Sequence, residues 1–321
     1  MPRGYAPVSG LESPRFSGIR TFARLPHTRD LAGVDVAIVG VPFDTGVTYR
    51  VGARFGPAAV REMSAMLRVY HPALNVNVYD VLSVVDYGDV PVVPGFIEAS
   101  YDRIVDGLRP ILAAGVVPIC IGGDHSIALA ELRAVAERYG PVGMVQFDSH
   151  TDTWDEYWGQ KYTHGTPFRR AVEEGLLDPR RVIQVGMRGS LYGPEDLDQS
   201  RDLGFEVWTT DDVRREGIAA VVQAIHRRVA DGPVFLSFDI DFVDPSFAPG
   251  TGTPEIGGFT SREAQELLRG LVGLKLVACD LVEVLPAHDP AGITALIAAN
   301  LIFEILAVLA ATRRQAQEAD A

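Results

Sequence analysis

The stretch 147–152 places three potential metal ligands, Asp148, His150 and Asp152, within five residues. The apolar run Val142–Phe147 leads into them and predicts a buried strand. Alternation at the end of a strand directs Asp148 and His150 to the same side, and a turn beyond can return Asp152 to them. Two carboxylates beside an imidazole are costly to bury unless a cation neutralises them. The alternative is a polar turn that caps a helix.

Three other apolar runs also end in ionisable residues. Val116–Ile121 leads to Asp124 and His125, Val234–Phe238 leads to Asp239 and Asp241, and Leu274–Ala278 leads to Asp280 and Glu283. A single acidic strand end is usually a helix cap. In an open parallel sheet, however, ligands bind outside the carboxyl ends of the strands. Four acidic ends at one edge therefore predict a site that holds a cation.

The candidate ligands are two imidazoles and four carboxylates, with no sulfur: His125, His150, Asp148, Asp152, Asp239 and Asp241. Hard oxygen ligands with some imidazole suit Mn²⁺, and Fe, Co, Ni or Zn are possible. Six ligands are too many for one catalytic ion with an open position. They suit two ions ~3.5–4 Å apart that share bridging carboxylates.

Strand and helix patterns alternate along nearly the whole chain, which predicts a largely parallel sheet covered on both faces. We expect one catalytic domain over residues 34–321, preceded by a proline-containing surface arm over residues 1–33. Residues 75–86 are expected to form one or two edge strands. A single helix is predicted from Asp211 to Ala230.

Composition narrows the class of protein. The 321 residues are 47% hydrophobic and carry a formal charge of −13, which argues against nucleic acid or an anionic membrane as partner and is compatible with a cationic substrate. Cys120 and Cys279 lie in apolar runs and are expected to be buried thiols. The apolar stretch Ile293–Ala311 is interrupted by Asn300 and Glu304, so we interpret it as a buried helix rather than a membrane span. We expect a cytoplasmic protein.

Four ordered motifs carry a family resemblance over most of the chain. The sequence resembles the ureohydrolases, the arginase and agmatinase family, at residues 122–126 (GGDHS), 148–152 (DSHTD), 237–241 (SFDID) and 280–284 (DLVEV). Residues 162–168 (YTHGTPF) and 247–254 (FAPGTGTP) are most similar to the agmatinase and guanidinobutyrase branch. Leu285 stands where arginases have Asn, which weakens the case that the protein is an arginase itself. Ser149 stands where many family members have Ala.

The resemblance implies a three-layer α/β/α sandwich with a mostly parallel central sheet, usually assembled as a homotrimer or homohexamer. It implies two Mn²⁺ ions per chain. The first ion would take His125, Asp148, Asp152 and Asp239, and the second would take Asp148, His150, Asp239 and Asp241.

The family reaction would be hydrolysis of a linear guanidino compound to urea and a primary amine. Two cations would lower the pKa of a water between them, and Asp152 would orient it. Glu283 would pair with the guanidinium through both oxygens, and His164 would supply a proton to the leaving amine. The alternative interpretations are that His164 is an ordinary loop histidine and that Glu283 is the salt-bridge partner of an arginine. His71 and His288, beside prolines, are expected at the surface.

The substrate tail would meet the loop after the central motif and the loop Asp44–Arg50. The predicted pocket residues are Arg50, Trp154, Asp155, Tyr157, Trp158 and Lys161. An ammonium tail, as in agmatine, would be attracted by Asp155 or Glu156, and a carboxylate tail by Lys161 or Arg50. The net negative charge favours agmatine over 4-guanidinobutyrate or 3-guanidinopropionate. Alternatives are a zinc deacetylase of the same fold and a non-catalytic homologue.

Overall fold

One eight-stranded sheet organises the chain, whose computed structural model describes residues 4–193 and 195–319. Its strands are β1 Val36–Val41, β4 Val84–Asp89, β5 Val117–Gly122, β6 Val142–Phe147, β7 Leu177–Met187, β8 Glu206–Thr209, β9 Val234–Asp239 and β10 Leu276–Val282. Their order across the sheet is β4-β1-β5-β10-β9-β6-β7-β8, and every pairing is parallel. The short strands β2 Tyr70–His71 and β3 Val76–Asn77 form a separate antiparallel pair.

Helices cover both faces of this sheet. They are α1 Gly56–Ser64, α2 Val78–Val81, α3 Ile97–Ala113, α4 Ile127–Tyr139, α5 Pro167–Glu173, α6 Asp196–Asp202, α7 Thr210–Glu216, α8 Ile218–Val229, α9 Ser261–Arg269 and α10 Ile293–Ala319. Successive residues of a strand point to opposite faces, so Val36 and Ile38 join the core beneath α1 and α7–α10, whereas Ala37 and Val39 join the core beneath α3–α5. The expected three-layer α/β/α sandwich is confirmed.

Three local expectations are corrected. The helix predicted from Asp211 to Ala230 is two helices, because Gly217 adopts a φ of +86° between α7 and α8. Residues 75–86 supply only β3, α2 and the start of β4, which is the edge strand. The arm does not stay wholly at the surface, since Phe22 and Leu25 are buried and the Phe22 amide donates to Asp86 Oδ2 at 2.7 Å.

The C-terminal helix α10 and the two thiols lie where the sequence predicted. α10 belongs to a segment, Pro290–Ala319, that is long and apolar enough to cross a membrane, but the most apolar window of this segment, with a mean hydropathy of 2.3, is 72% buried inside the fold. Leu301, Ile302 and Leu306 form part of the core beneath the sheet. Cys120 and Cys279 are free and buried.

Candidate metal centre and active site

Four neighbouring strands carry the candidate site. β5, β10, β9 and β6 occupy the middle of the sheet in that order, so their carboxyl ends lie side by side. His125 follows β5, Glu283 follows β10, Asp239 ends β9, and Asp148 follows β6. The parallel pairing thus brings together residues that are up to 158 positions apart in the chain, as in the bond from the His125 amide to Glu283 Oε1.

The tautomer of His125 indicates a metal ligand. Ser237 Oγ donates its one proton to Asp280 Oδ1 at 2.9 Å, so it accepts from His125 Nε2 at 2.8 Å. The lone pair of His125 therefore lies on Nδ1, which forms no hydrogen bond with any group in residues 4–193 or 195–319. Three carboxylate oxygens nevertheless surround it, from Asp152 at 2.8 Å, Asp148 at 3.1 Å and Asp239 at 3.4 Å. A cation at their centre would satisfy all four atoms.

Two of the aspartates each have one oxygen fixed and the other left for a ligand. Asp239 Oδ1 accepts from the Asp241 amide at 2.8 Å, while its Oδ2 faces His125. Asp241 Oδ1 accepts from the amide and hydroxyl of Ser149, whereas its buried Oδ2 has no hydrogen-bond partner within the described chain and lies 3.0 Å from His150 Nδ1. These hydrogen bonds orient the carboxylates before any ion binds.

Two overlapping groups of ligands result. His125, Asp148 and Asp239 converge on one point, and Asp148, His150 and Asp241 converge on another, each within 4.8 Å. Burial, reinforced by Asp241 and Asp152, raises the pKa of Asp148 to about 7. The donor set, hard oxygens with imidazole, fits a pair of divalent cations that share Asp148. The structure thus brings together all six ligands that the sequence predicted, while their individual assignment stays a prediction.

Two site residues have a strained backbone. Asp152 has a φ of +52° and Glu283 a φ of +63°, a region that side-chain-bearing residues seldom adopt. Asp152 O accepts from the Phe168 amide at 3.2 Å, and the Glu283 amide donates to Gly123 O at 2.9 Å. These two backbone hydrogen bonds hold the turns at Asp152 and Glu283. Such strain persists only where surrounding structure fixes it, and it is concentrated at functional sites.

His164 and Glu283 form a pair beside the metal ligands. His164 Nδ1 lies 2.9 Å from Glu283 Oε1, and both side chains are buried. Burial opposes a charge on His164, but the hydrogen bond and charge of Glu283, with Asp152 and Asp124 nearby, outweigh it and raise the pKa of His164. Glu283 Oε2 has no partner among the described residues, so it is available to a cationic ligand.

A cavity of about 650 Å³ opens onto this end of the sheet. Three predicted pocket residues, Arg50, Trp154 and Tyr157, line it together with His150, Asp152, Asp239 and His164. The other three lie outside that lining, which corrects the prediction. Asp155 is exposed and pairs with Arg170 at 2.6 Å, and Trp158 and Lys161 line a separate surface depression.

Several lining residues were not identified from the sequence. Thr48, Tyr192 and Glu255 line the cavity, although none belongs to a motif with a metal-ligand pattern. Asp44 begins the loop that was expected to meet the substrate tail, but it is buried, where it accepts from Arg54 Nε at 2.6 Å and from the Gly52 amide at 2.8 Å. Thr48 belongs to the loop Asp44–Arg50, which was expected to meet the substrate tail, and this position is the sequence signal that could have identified it.

Comparisons with known proteins agree with this geometry. The arginase family profile matches residues 34–308. Guanidinopropionase of Pseudomonas aeruginosa is 49% identical over 305 residues, 95% of this chain and 96% of that protein. Mitochondrial agmatinase of Gallus gallus is 48% identical over 292 residues, 91% of this chain and 86% of that protein.

A solved structure extends the match to three dimensions. Proclavaminate amidinohydrolase from Streptomyces clavuligerus superposes with a TM-score of 0.90 at 42% identity, covering 94% of this chain and 100% of that one. The chain belongs to the arginase family.

Proposed function

We propose that this protein hydrolyses linear guanidino compounds to urea and a primary amine with a pair of manganese ions. The observation that carries the proposal is the lone pair of His125 Nδ1 amid three carboxylate oxygens. Two of these oxygens belong to Asp152 and Asp239, which line the cavity together with His164. His125, Asp148, His150, Asp152, Asp239 and Asp241 would hold the two ions. Such ions supply Lewis acidity that makes water nucleophilic at neutral pH.

The remaining residues bind the guanidinium and move the proton. Glu283 Oε1 already accepts from His164 and the His125 amide, so Oε2 is the oxygen that receives a guanidinium N–H, rather than both oxygens as first expected. Asp152 accepts a hydrogen bond from the attacking water and orients it. Attack at the guanidinium carbon is followed by cleavage of the bond to the substituted nitrogen, and His164 is the source of the proton that this nitrogen takes up as it leaves.

The cavity favours a substrate with a carboxylate tail. Arg50 lines it and forms no ion pair with any carboxylate of residues 4–193 or 195–319, and Trp154 Nε1 is a buried donor without a partner in the same part of the chain. The expectation of agmatine rested on the net negative charge, and Asp155, one of the two residues expected to attract its ammonium tail, lies outside the cavity. 3-Guanidinopropionate and 4-guanidinobutyrate are therefore the first substrates to test.

Agmatine is the second candidate, because one acidic residue that is not a presumed metal ligand also lines the cavity. Glu255 is half-buried there, and none of the ion pairs among the described residues includes it. Its carboxylate is the group that would attract an ammonium tail.

A homotrimer or homohexamer stays part of the proposal. Leu11, Phe16 and Ile19 of the arm are 100%, 82% and 85% exposed, and such apolar side chains are commonly covered by neighbouring subunits. Solution mass from light scattering tests the assembly. A cytoplasmic location also stays a prediction, to be tested by cell fractionation.

The test is urea release measured after metal removal and reloading. Purified protein would be stripped with chelator and reloaded with Mn²⁺, Zn²⁺, Co²⁺ or Ni²⁺, and metal content would be measured beside turnover of the two guanidino acids, agmatine and arginine. We expect close to two ions per chain and the highest kcat/KM on a guanidino acid. Absence of urea from every compound, with deacetylation of an acyl-lysine peptide by the one-zinc form, would overturn the proposal.

A further inference from the structure

Both ring nitrogens of His164 are occupied in the structure. Nδ1 contacts Glu283 Oε1 at 2.9 Å, while Nε2 lies 2.7 Å from Thr48 Oγ1 and accepts from the Thr48 amide at 3.0 Å. A backbone N–H can only donate, so this contact places the lone pair of neutral His164 on Nε2 and its proton on Nδ1. Neither nitrogen is free to contact a leaving group directly.

The hydroxyl of Thr48 can serve either protonation state of His164. It donates to Nε2 when His164 is neutral, and it accepts from Nε2–H when His164 is charged, whereas the Thr48 amide opposes the charged form. The carboxylates Glu283, Asp152 and Asp124 face His164 and favour that charged form. Thr48 also lines the cavity beside the metal ligands Asp152 and Asp239.

The loop around Thr48 is held on both sides. Gly46 O accepts from the His164 amide at 2.9 Å, and the Gly46 amide donates to the buried Asp124 Oδ2 at 2.8 Å. A Cβ at Gly46 would lie 2.9 Å from Ser126 Oγ, so the loop approaches this wall as closely as glycine permits. On the other side of Thr48, Asp44 accepts from the Gly52 amide at 2.8 Å. Thr48 is therefore positioned by the scaffold.

We propose that the Thr48 hydroxyl relays the proton from His164 to the departing amine, an inference that rests on the proposed function. Nε2–H of His164 passes its proton to Thr48 Oγ1 as Oγ1 passes its own proton to the substituted nitrogen. The bond between that nitrogen and the guanidinium carbon breaks, and its electron pair stays on the nitrogen. Thr48 gains and loses one proton, so it is unchanged.

The first experiment compares Thr48→Val, which removes the hydroxyl but keeps shape and the amide, with Thr48→Ser, which keeps the hydroxyl. On 4-guanidinobutyrate we expect T48V to lose about 10²-fold in kcat with KM little changed, and T48S to stay within about threefold of wild type. Thr45→Val, an exposed threonine of the same loop, is the matched control and should behave as wild type.

The second experiment separates proton delivery from a structural role. An oxyguanidino analogue, with oxygen in place of the carbon attached to the leaving nitrogen, expels a weakly basic alkoxyamine that needs little protonation. T48V should lose less than about tenfold on this analogue. Equal losses on both substrates, a T48V enzyme as active as wild type, or a T48S loss as large as that of T48V would each overturn the relay.

The tautomer of His164 gives a readout that is independent of turnover. The ¹⁵N shifts of histidine-labelled protein, with the His164 signals assigned by their loss in His164→Asn, should show the neutral ring protonated on Nδ1. A neutral ring protonated on Nε2 would contradict the Thr48 contact and overturn the relay. If the wild-type protein releases no urea from any guanidino compound, both the proposed function and the relay are wrong. The ¹⁵N shifts would still show whether His164 Nε2 accepts from Thr48.

Discussion

Two buried groups of histidine and carboxylate in this protein differ in how completely their atoms are paired. At the strand ends, four aspartates surround two imidazoles, and His125 Nδ1 and Asp241 Oδ2 lack partners among the described residues. Beneath the sheet, Glu304 of α10 accepts from Arg269 at 2.6 and 2.9 Å and contacts His71 Nε2 at 2.7 Å. The His71 Nδ1 atom accepts from the Leu74 amide at 3.1 Å.

The difference separates a binding site from a structural contact. The second group has one carboxylate facing a guanidinium and an imidazole, so charge and hydrogen bonds are both satisfied and no ligand is needed. The first group has excess negative charge and inward-facing atoms without partners, which a cation would satisfy. Histidine beside carboxylate is common to both; only the pairing of every atom distinguishes them.

Removal of one shared carboxylate should have the largest effect. In Asp148→Asn, both ligand groups lose an anionic oxygen, so we expect loss of at least one ion per chain and a fall in kcat/KM of at least about 10³-fold. Metal analysis and urea release measure the two effects. Exposed Glu156→Gln is the control and should retain both; a metal-replete, active D148N enzyme would contradict the assignment.

His164→Asn should abolish proton delivery without affecting metal content. Because His164 contacts Glu283 rather than a ligand atom, we expect kcat to fall by about 10²- to 10³-fold with the ion count unchanged. Single-turnover urea release and metal analysis provide the check. His288→Asn, at an exposed histidine, is the matched control and should behave as wild type. Loss of metal in H164N would contradict the prediction and would place His164 in the ion-binding group.

The charges in the cavity wall should select the substrate tail. Arg50→Met should raise KM for 4-guanidinobutyrate about tenfold and leave agmatine unaffected, because only the carboxylate tail needs the guanidinium. Glu255→Gln should do the reverse. Steady-state kinetics of both variants on both substrates decide the matter, and parallel changes on the two compounds would show that neither residue contacts the tail.

Glu304→Gln tests the paired group and should change stability without changing turnover. Loss of the buried charge facing Arg269 and His71 should lower the free energy of unfolding by about 2 kcal/mol. Denaturant unfolding in the presence of chelator measures it. Glu318→Gln, in an exposed pair with Arg314 on the same helix, should change stability by less than about 0.5 kcal/mol. Loss of specific activity in folded E304Q would break the distinction between the two groups.

The same carboxylate predicts a small pH effect. Burial raises the pKa of Glu304, but the hydrogen bonds from His71 and Arg269 outweigh it and lower the pKa below its usual range. A carboxylate whose pKa is lower in the folded state than in the unfolded state stabilises the fold. This stabilisation is fully present above the unfolded-state pKa of about 4.3, and it is lost as the pH falls through the folded-state pKa. The difference in Tm between wild type and E304Q, both in chelator, should therefore shrink between pH 6 and pH 3. A difference that grows with acidification would reverse the sign.

The sequence predicted the parallel α/β fold and the convergence of the six candidate ligand residues, because strand periodicity and acidic strand ends are local signals. It placed His288 correctly at the surface but was wrong about His71, which is buried against Glu304 from a residue 233 positions away. The same limit explains Asp155, whose pairing with Arg170 on α5 removes it from the cavity. A side chain's partner on another element is not encoded in its own neighbourhood.

The sequence by itself determined which atoms could coordinate a cation and that strand ends would carry them, since residue type and alternation are properties of the chain alone. Tertiary structure decided which of those atoms stay unpaired, which charges line the cavity, and that Thr48 reaches His164 across 116 positions. Those outcomes depend on distances of a few ångströms between elements far apart in the chain, and only the packing of the whole fold sets such distances.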